Sequence, residues 1–165
     1  MNEIPFKQVE GGVCAAKGFM ANGLNCGLNS DPAKNDLCLV VSDSYCDAAA
    51  VYTTNKVKGA PILVTRAHLA MNGGRIRGFI ANSKNANTCN ADGVEKAEKM
   101  CALAAGALGI DPKEIVVAST GVIGQILPIE PIAAHIEELA AGLTYDGNRK
   151  AANAIMTTDT VMKEI

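Results

Sequence analysis

One segment of this sequence combines residue types that could do acyl chemistry. Residues 114–119, EIVVAS, are typical of a buried strand, and Thr120 and Gly121 follow it directly. A hydroxyl and a glycine N–H at a strand end could both donate to a reacting carbonyl oxygen about 3 Å away, forming an oxyanion hole. The alternative is a structural turn whose hydroxyl only caps a helix. The local sequence by itself favours the turn.

Two further polar segments could contact a ligand. Residues 157–160, TTDT, could bind a ligand's polar end through Thr157 and Thr158, or could simply terminate a helix, because Thr and Asp compete with helical backbone. The loop 82–90 carries several asparagines that could bind a polar substrate, although asparagine is common in turns. Both segments therefore keep a structural alternative.

The surrounding pattern predicts alternating strands and helices that would position these groups. The first thirty residues, rich in Gly and Asn, indicate short strands joined by turns. The predicted strands are 36–43, 46–54, 77–82 and 114–119. The predicted helices begin at Ala60-Pro61, at Asp92, at Pro128 or Pro131, and at Asn148, and the last of them runs to Met156. This order predicts an α/β or α+β fold.

The helix that begins at Asp92 has the clearest periodicity. Asp92 is a good N-cap, Glu95 stands at capping-box spacing, and Gly109 ends the pattern. The predicted buried face consists of Val94, Ala97, Cys101, Ala104, Ala105 and Leu108.

Composition excludes several classes of protein. Apolar residues make up 48% and charged residues 19% of the chain, which argues against disorder. The net charge of −2 and a sequence pI of about 5.7 leave no basic field for nucleic acid or anionic lipid. No apolar run reaches the ~20 residues of a membrane span, and no signal peptide is visible.

Metal and nucleotide motifs are missing from the sequence. The six cysteines form no CxxC pair and the two histidines are far apart, so we expect no zinc site, and mostly buried thiols in a reducing cytoplasm. The sequence contains no GxxxxGK[ST], GxGxxG, GxSxG or HExxH motif. Nucleotide-binding, hydrolase and zincin signatures are therefore absent.

The polar segments occur together in the order typical of one family. The stretches that carry this order are GFMANGLNCGLN (18–29), DLCLVVSD (36–43), AAAVYTTNKVKGAPILVTRAHL (48–69), NSKNANTCNADG (82–93), ASTGVIGQILP (118–128) and AIMTTDT (154–160). Through these stretches the chain resembles the ornithine acetyltransferases, the bifunctional glutamate N-acetyltransferases of arginine biosynthesis. Two departures are Lys84, where the family usually has glycine, and Met162, where proline commonly follows TTDTV.

The resemblance implies that the chain is part of a larger enzyme. Such proteins are precursors that cut themselves between an alanine and a threonine, and the freed threonine is the nucleophile of the β chain. Residues 1–165 would be an α-chain portion without the C-terminal end of the α chain. We therefore expect this chain alone to be inactive.

The resemblance also implies an activity and its residues. The assembled enzyme would transfer acetyl from N-acetylornithine to glutamate through an acetyl-threonine intermediate, with Thr120 and Gly121 as the oxyanion hole and Thr157 and Thr158 binding substrate. It would need no metal or cofactor, although some members use acetyl-CoA as donor.

The implied fold is an α/β sandwich of β-sheets flanked by helices, completed by the β chain in a cytoplasmic α2β2 heterotetramer, with no nucleic-acid or membrane partner. A different interpretation is a non-catalytic small-molecule binding or regulatory domain, which the missing nucleophile and the low charge favour.

Overall fold

A four-stranded mixed sheet organises the chain. The computed structural model describes residues 9–163 and contains strands β1 (Phe19–Leu24), β2 (Leu37–Asp47), β3 (Arg75–Asn82) and β4 (Ile115–Ser119), in that spatial order. β2 pairs antiparallel with both β1 and β3, whereas β4 pairs parallel with β3. A parallel pair needs a crossover connection, and the chain between β3 and β4 contains a helix that provides it.

Helices cover both faces of this sheet. The described helices are α1 (Ala60–Met71), α2 (Gly93–Leu108), α3 (Glu130–Ala141) and α4 (Asn148–Ala154), with short 3-10 turns at Gly12–Cys14 and Pro112–Glu114. The predicted α/β class is therefore confirmed. In residues 9–163, no helix combines the length and apolar character needed to cross a membrane. The assignment of residues 1–165 to an α-chain portion stays a prediction, and residues 1–8 and 164–165 lie outside the described range.

Alternating residues of the strands face two separate apolar clusters. Leu37 and Leu39 of β2 are buried in the larger cluster, which also contains Met100 of α2 and Ile132 of α3. The intervening Cys38 faces the other way. The smaller cluster on that second face contains Ala21, Cys38 and Ala81 of the sheet with Ala151 and Ala154 of α4. The two-residue side-chain period of a strand thus separates a deep core from a thinner one.

The predicted strand at 46–54 was wrong. β2 continues unbroken to Asp47, and residues 48–59 form neither helix nor strand. β2 pairs antiparallel with β3, and Asp47 lies opposite Arg75, the first residue of β3. The paired part of β2 therefore ends at Asp47. Val51 is fully exposed, at 100%. The Ala48 N–H still donates to the Gly74 carbonyl at 2.7 Å, but within the described residues no strand pairs with this stretch beyond that bond.

The start of α2 also differs from the prediction. Asp92 is the N-cap, but its side chain makes no capping hydrogen bond, because its φ of −96° and ψ of 8° are not the extended conformation that brings a cap into reach. Val94 is 47% exposed, and Met100 is buried on the core face instead. Gly93 lies inward against Ala60 and Asn87, which turns the next residue outward.

α1 covers the outer edge of β4. The Thr65 hydroxyl donates to the Val117 carbonyl at 2.9 Å and accepts from the Val117 N–H at 3.0 Å, so one side chain satisfies both edge groups. His68 is buried and makes two contacts: its Nδ1 lies 2.7 Å from the Ile115 carbonyl oxygen, and its Nε2 lies 3.0 Å from the Glu98 carboxylate. These contacts hold in place the strand that leads to Thr120.

Candidate active site

Thr120 and Gly121 lie directly beyond the carboxyl end of β4. The Thr120 N–H donates to the Asn82 carbonyl at 3.0 Å, which extends the parallel ladder one residue past the strand. Thr120 is half-buried and Gly121 is exposed. In residues 9–163, neither the Thr120 hydroxyl nor the Gly121 N–H has a hydrogen-bond partner. Two adjacent donors are therefore free to contact a ligand oxygen.

The segment after Gly121 is held against the asparagine-rich loop 82–90. The Val122 N–H donates to the Lys84 carbonyl at 3.1 Å, and the Val122 carbonyl accepts from Ala86 N–H at 2.9 Å. Farther along, the Gly124 N–H donates to the Thr88 carbonyl at 2.9 Å. These bonds form a short two-segment ladder beyond the sheet, so the two candidate donors stand on a rigid turn.

Glycine is required at position 121. Its φ of +135° lies in a region that other residues rarely adopt. A Cβ there would lie 2.2 Å from the Lys84 carbonyl carbon and 2.5 Å from the Asn85 nitrogen. The turn therefore approaches the neighbouring backbone more closely than any side chain permits, and the same approach leaves the Gly121 N–H exposed.

The asparagines of this loop serve mainly to build it. Asn82 is fully buried, accepts from the Ser119 hydroxyl at 2.6 Å and donates to the Asn85 carbonyl at 2.9 Å. Asn85 donates to the Gln125 carbonyl at 3.0 Å. The described contacts thus favour the structural alternative for these two residues over substrate binding. The Asn82–Ser119 bond joins the ends of the neighbouring strands β3 and β4, and the sequence analysis missed it. A polar residue at the end of each strand is the sequence signal that could have indicated this bond.

Lys84 adopts a backbone conformation that favours glycine. Its φ is 73°, in the left-handed region, and its side chain is exposed. This conformation costs a residue with a Cβ roughly 1–2 kcal/mol. The departure from the family's glycine therefore carries a conformational cost in this loop.

Thr157 and Thr158 lie in an exposed bend after α4. The helix ends at Ala154, so the predicted helical stretch to Met156 is two residues too long. In the same bend, the Asp159 carboxylate pairs with Lys163, whose hydrogen bond and charge lower the pKa of Asp159. Both threonines have solvent-facing surface.

The two predicted parts of the site are not in direct contact. Within the described residues, no hydrogen bond or ion pair joins 157–160 to 119–124. They are linked through the thin apolar cluster, because Ala118 packs against the group that contains Ala154. Both segments therefore start from the same face of the sheet. The described chain has no cluster of three or more His, Cys, Asp or Glu side chains able to hold a metal ion.

Comparison with known proteins identifies the family of the chain. A model of the ArgJ family matches residues 20–165. The chain belongs to the ArgJ family. It is 46% identical to the arginine biosynthesis bifunctional protein ArgJ of Symbiobacterium thermophilum, over 93% of this chain, and 45% identical to ArgJ 1 of Clostridium acetobutylicum, over 89%. The family predicted from the sequence is confirmed.

Solved ArgJ structures share the fold. The crystal structure of ArgJ from Bacillus halodurans has a TM-score of 0.84 at 39% identity and covers 92% of this chain and 78% of its own. Ornithine acetyltransferase from Mycobacterium tuberculosis, solved in complex with ornithine, has a TM-score of 0.85 at 36% identity, covering 91% of this chain and 81% of its own. The predicted sandwich architecture of this ArgJ family member is thus confirmed.

The chain spans only part of its curated ArgJ relatives. It covers 38% of the Symbiobacterium protein and 36% of the Clostridium protein. Those relatives are named as bifunctional proteins of arginine biosynthesis.

Proposed function

We propose that this chain forms one half of the active site of an enzyme that transfers acetyl from N-acetylornithine to glutamate, giving ornithine and N-acetylglutamate. Family membership supports the class of reaction, and the ornithine bound to the Mycobacterium relative supports the substrate class. The observation that carries the proposal is the pair of unpartnered donors, Thr120 hydroxyl and Gly121 N–H, on a turn held at the end of β4.

These donors suit the acetyl-transfer step. A threonine hydroxyl at the start of a β chain attacks the acetyl carbonyl, and its own α-amine accepts the proton. The carbonyl oxygen then carries the negative charge, which Thr120 and Gly121 stabilise by hydrogen bonds. The α-ammonium gives that proton to the departing nitrogen, so the tetrahedral intermediate collapses to acetyl-threonine and free ornithine, and glutamate takes the acetyl group in a second, equivalent step.

The remaining roles follow from the same proposal. Thr157, with Thr158 beside it, binds the polar end of the substrate, and acetyl-CoA is a second candidate donor. The nucleophile comes from a β chain of the same precursor, in a cytoplasmic α2β2 assembly. The chain by itself then lacks the attacking group, so we expect acetyl transfer only from the complete gene product.

The test is the Thr120→Ala variant of that complete, cleaved protein. Loss of one oxyanion donor lowers kcat by about 10²–10³, while KM changes much less because the bond strengthens in the transition state. Thr120→Ser is the matched control: it keeps the hydroxyl and retains most of kcat. An unchanged kcat in a folded Thr120→Ala enzyme would return this residue to a purely structural role.

A further inference from the structure

A cavity of about 510 Å³ lies beside the loop 82–90, of which Asn87, Cys89 and Asn90 line it. Lys56 and Lys58 from the irregular segment before α1 line it together with Arg66 from α1. Among its described lining residues there is no Asp or Glu. The whole chain has a net charge of −2, whereas this cavity is lined by three cationic side chains and no acidic one. Its local charge therefore differs strongly from that of the chain.

The starts of two helices reinforce the positive potential of this cavity. Ala60, the first residue of α1, and Val94, in the first turn of α2, both line it. Neither helix has a side-chain cap hydrogen bond at its N-cap residue. A helix N-terminus carries partial positive charge and favours anions. Glu95, the acid of the first turn of α2, lines a different hollow.

A buried, unpartnered oxygen provides an independent sign of a ligand. Asn87 lines the cavity, is fully buried, and donates through Nδ2 to the Gly93 carbonyl at 2.8 Å. That bond identifies Oδ1 as the acceptor, and Oδ1 has no partner among residues 9–163. A buried acceptor without a donor is unfavourable. This oxygen lies next to the start of α2, since a Cβ at Gly93 would stand 3.0 Å from it. A ligand group that reaches it must be an N–H or O–H.

We propose that this cavity binds a phosphate-bearing small molecule that also carries a hydrogen-bond donor. A phosphate group holds about −1.5 to −2 charges at neutral pH, which matches several cations better than a single carboxylate does. The guanidinium of Arg66 binds two phosphate oxygens at once, and the two lysines add point charges. The donor group contacts Asn87. The proposal does not rest on the acetyl transfer from N-acetylornithine proposed above, because that reaction uses no phosphate-bearing ligand.

Binding is measured by calorimetry on the complete gene product with pyrophosphate, ADP and malonate as probes. Malonate is the carboxylate control and is neither a substrate nor a product of the proposed acetyl transfer. Both phosphate probes bind, with a Kd that rises with salt, and malonate binds more weakly than either. Tighter binding of ADP than of pyrophosphate identifies a nucleotide as the source of the phosphates, and equal binding identifies inorganic phosphate. Absence of binding by both phosphate probes, or tighter binding of malonate, overturns the proposal.

Variants locate the binding in this cavity. Arg66→Gln raises the Kd for the phosphate probes about tenfold or more, and Lys56→Gln, at another exposed cation, provides a second measurement if Arg66→Gln fails to fold. Lys99→Gln, an exposed charge change on α2 beside a different hollow, is the matched control and leaves Kd unchanged. Equal effects of the lining and control variants would contradict the assignment.

The exposed thiol of Cys89 gives an independent readout, since Cys89 lines the same cavity. Burial raises the pKa of the Cys38 and Cys101 thiols to about 12, so they alkylate slowly. Saturating phosphate ligand slows the reaction of Cys89 with iodoacetamide. Unchanged alkylation of Cys89 at saturation would place the bound phosphate elsewhere.

Discussion

Replacing Gly121 with alanine tests the turn that presents the candidate oxyanion donors. The new Cβ would stand 2.2 Å from the Lys84 carbonyl carbon, and both nearest neighbours, Lys84 and Asn85, offer backbone atoms that cannot rotate away. Ordinary carbon contacts lie at about 3.5–4.0 Å, so the two segments must separate by roughly 1.3 Å or more. The hydrogen bonds between Val122 and the facing loop do not survive such a shift.

The expected cost has two parts. A residue other than glycine at a φ of +135° is strained by about 1–3 kcal/mol. The loss of two backbone hydrogen bonds, each contributing about 0.5–1.5 kcal/mol, adds a similar amount. The variant should therefore be destabilised by about 2–6 kcal/mol, and its acetyl-transfer rate should fall because the Gly121 N–H moves away from the reacting oxygen.

Gly124→Ala is the matched control. Gly124 also has a positive φ, +80°, but a Cβ there would meet nothing within 4 Å. Only the left-handed conformation is penalised, by roughly 1–2 kcal/mol. Chemical denaturation of both variants, with the rate of ornithine release as a second measurement, separates the effects. If Gly121→Ala is no less stable than Gly124→Ala and equally active, the docking of this turn on Lys84 does not hold it in place.

Three further substitutions test other parts of the structure. If the Thr157 hydroxyl contacts a charged group of the substrate, Thr157→Val should raise KM for N-acetylornithine about tenfold or more, with a smaller change in kcat. Thr158→Val is the control and should change steady-state kinetics less. The reverse order would shift the assignment by one residue. Lys84→Gly should raise the free energy of unfolding by about 0.5–1 kcal/mol, because relief of the left-handed strain exceeds the entropy cost of glycine; a loss of stability would show that the lysine side chain itself contributes. Thr65→Val should destabilise the protein by about 1–3 kcal/mol in denaturation curves, because it leaves the Val117 N–H and carbonyl unpaired, and Thr65→Ser should restore most of that loss.

Several features of the fold could be read from local patterns. The apolar run before Thr120 is β4, and the 3.6-residue periodicity placed α2 and most of its buried face correctly. These predictions succeed because side-chain alternation and helical period depend on neighbours a few residues apart. The turn at Thr120-Gly121 follows β4 as the local pattern of a hydroxyl and a glycine after a strand indicates, and the role of these two residues as oxyanion donors stays a prediction.

Other predictions failed where the partner lay far along the chain. Residues 46–54 have the composition of a strand, but the pairing strand begins at Arg75, opposite Asp47, so the ladder stops there. Val94 fits the apolar stripe of α2, but Gly93 packs inward against α1 and turns Val94 to solvent. Composition describes what a segment can pair with, whereas only the assembled fold determines what lies beside it.

By itself, the sequence determined which residues could supply the donors and, through its motifs, the family to which the chain belongs. The tertiary structure alone decided that those donors are held in place. The Ser119 hydroxyl reaches Asn82 across 37 residues of chain, and Gly121 must be glycine because the Lys84 backbone lies where a Cβ would be. The sequence also did not show that three cations line one cavity, namely Lys56, Lys58 and Arg66, since their positions depend on the path of an irregular segment. Close approach between distant segments is set by the packing of the whole core, which no local pattern encodes.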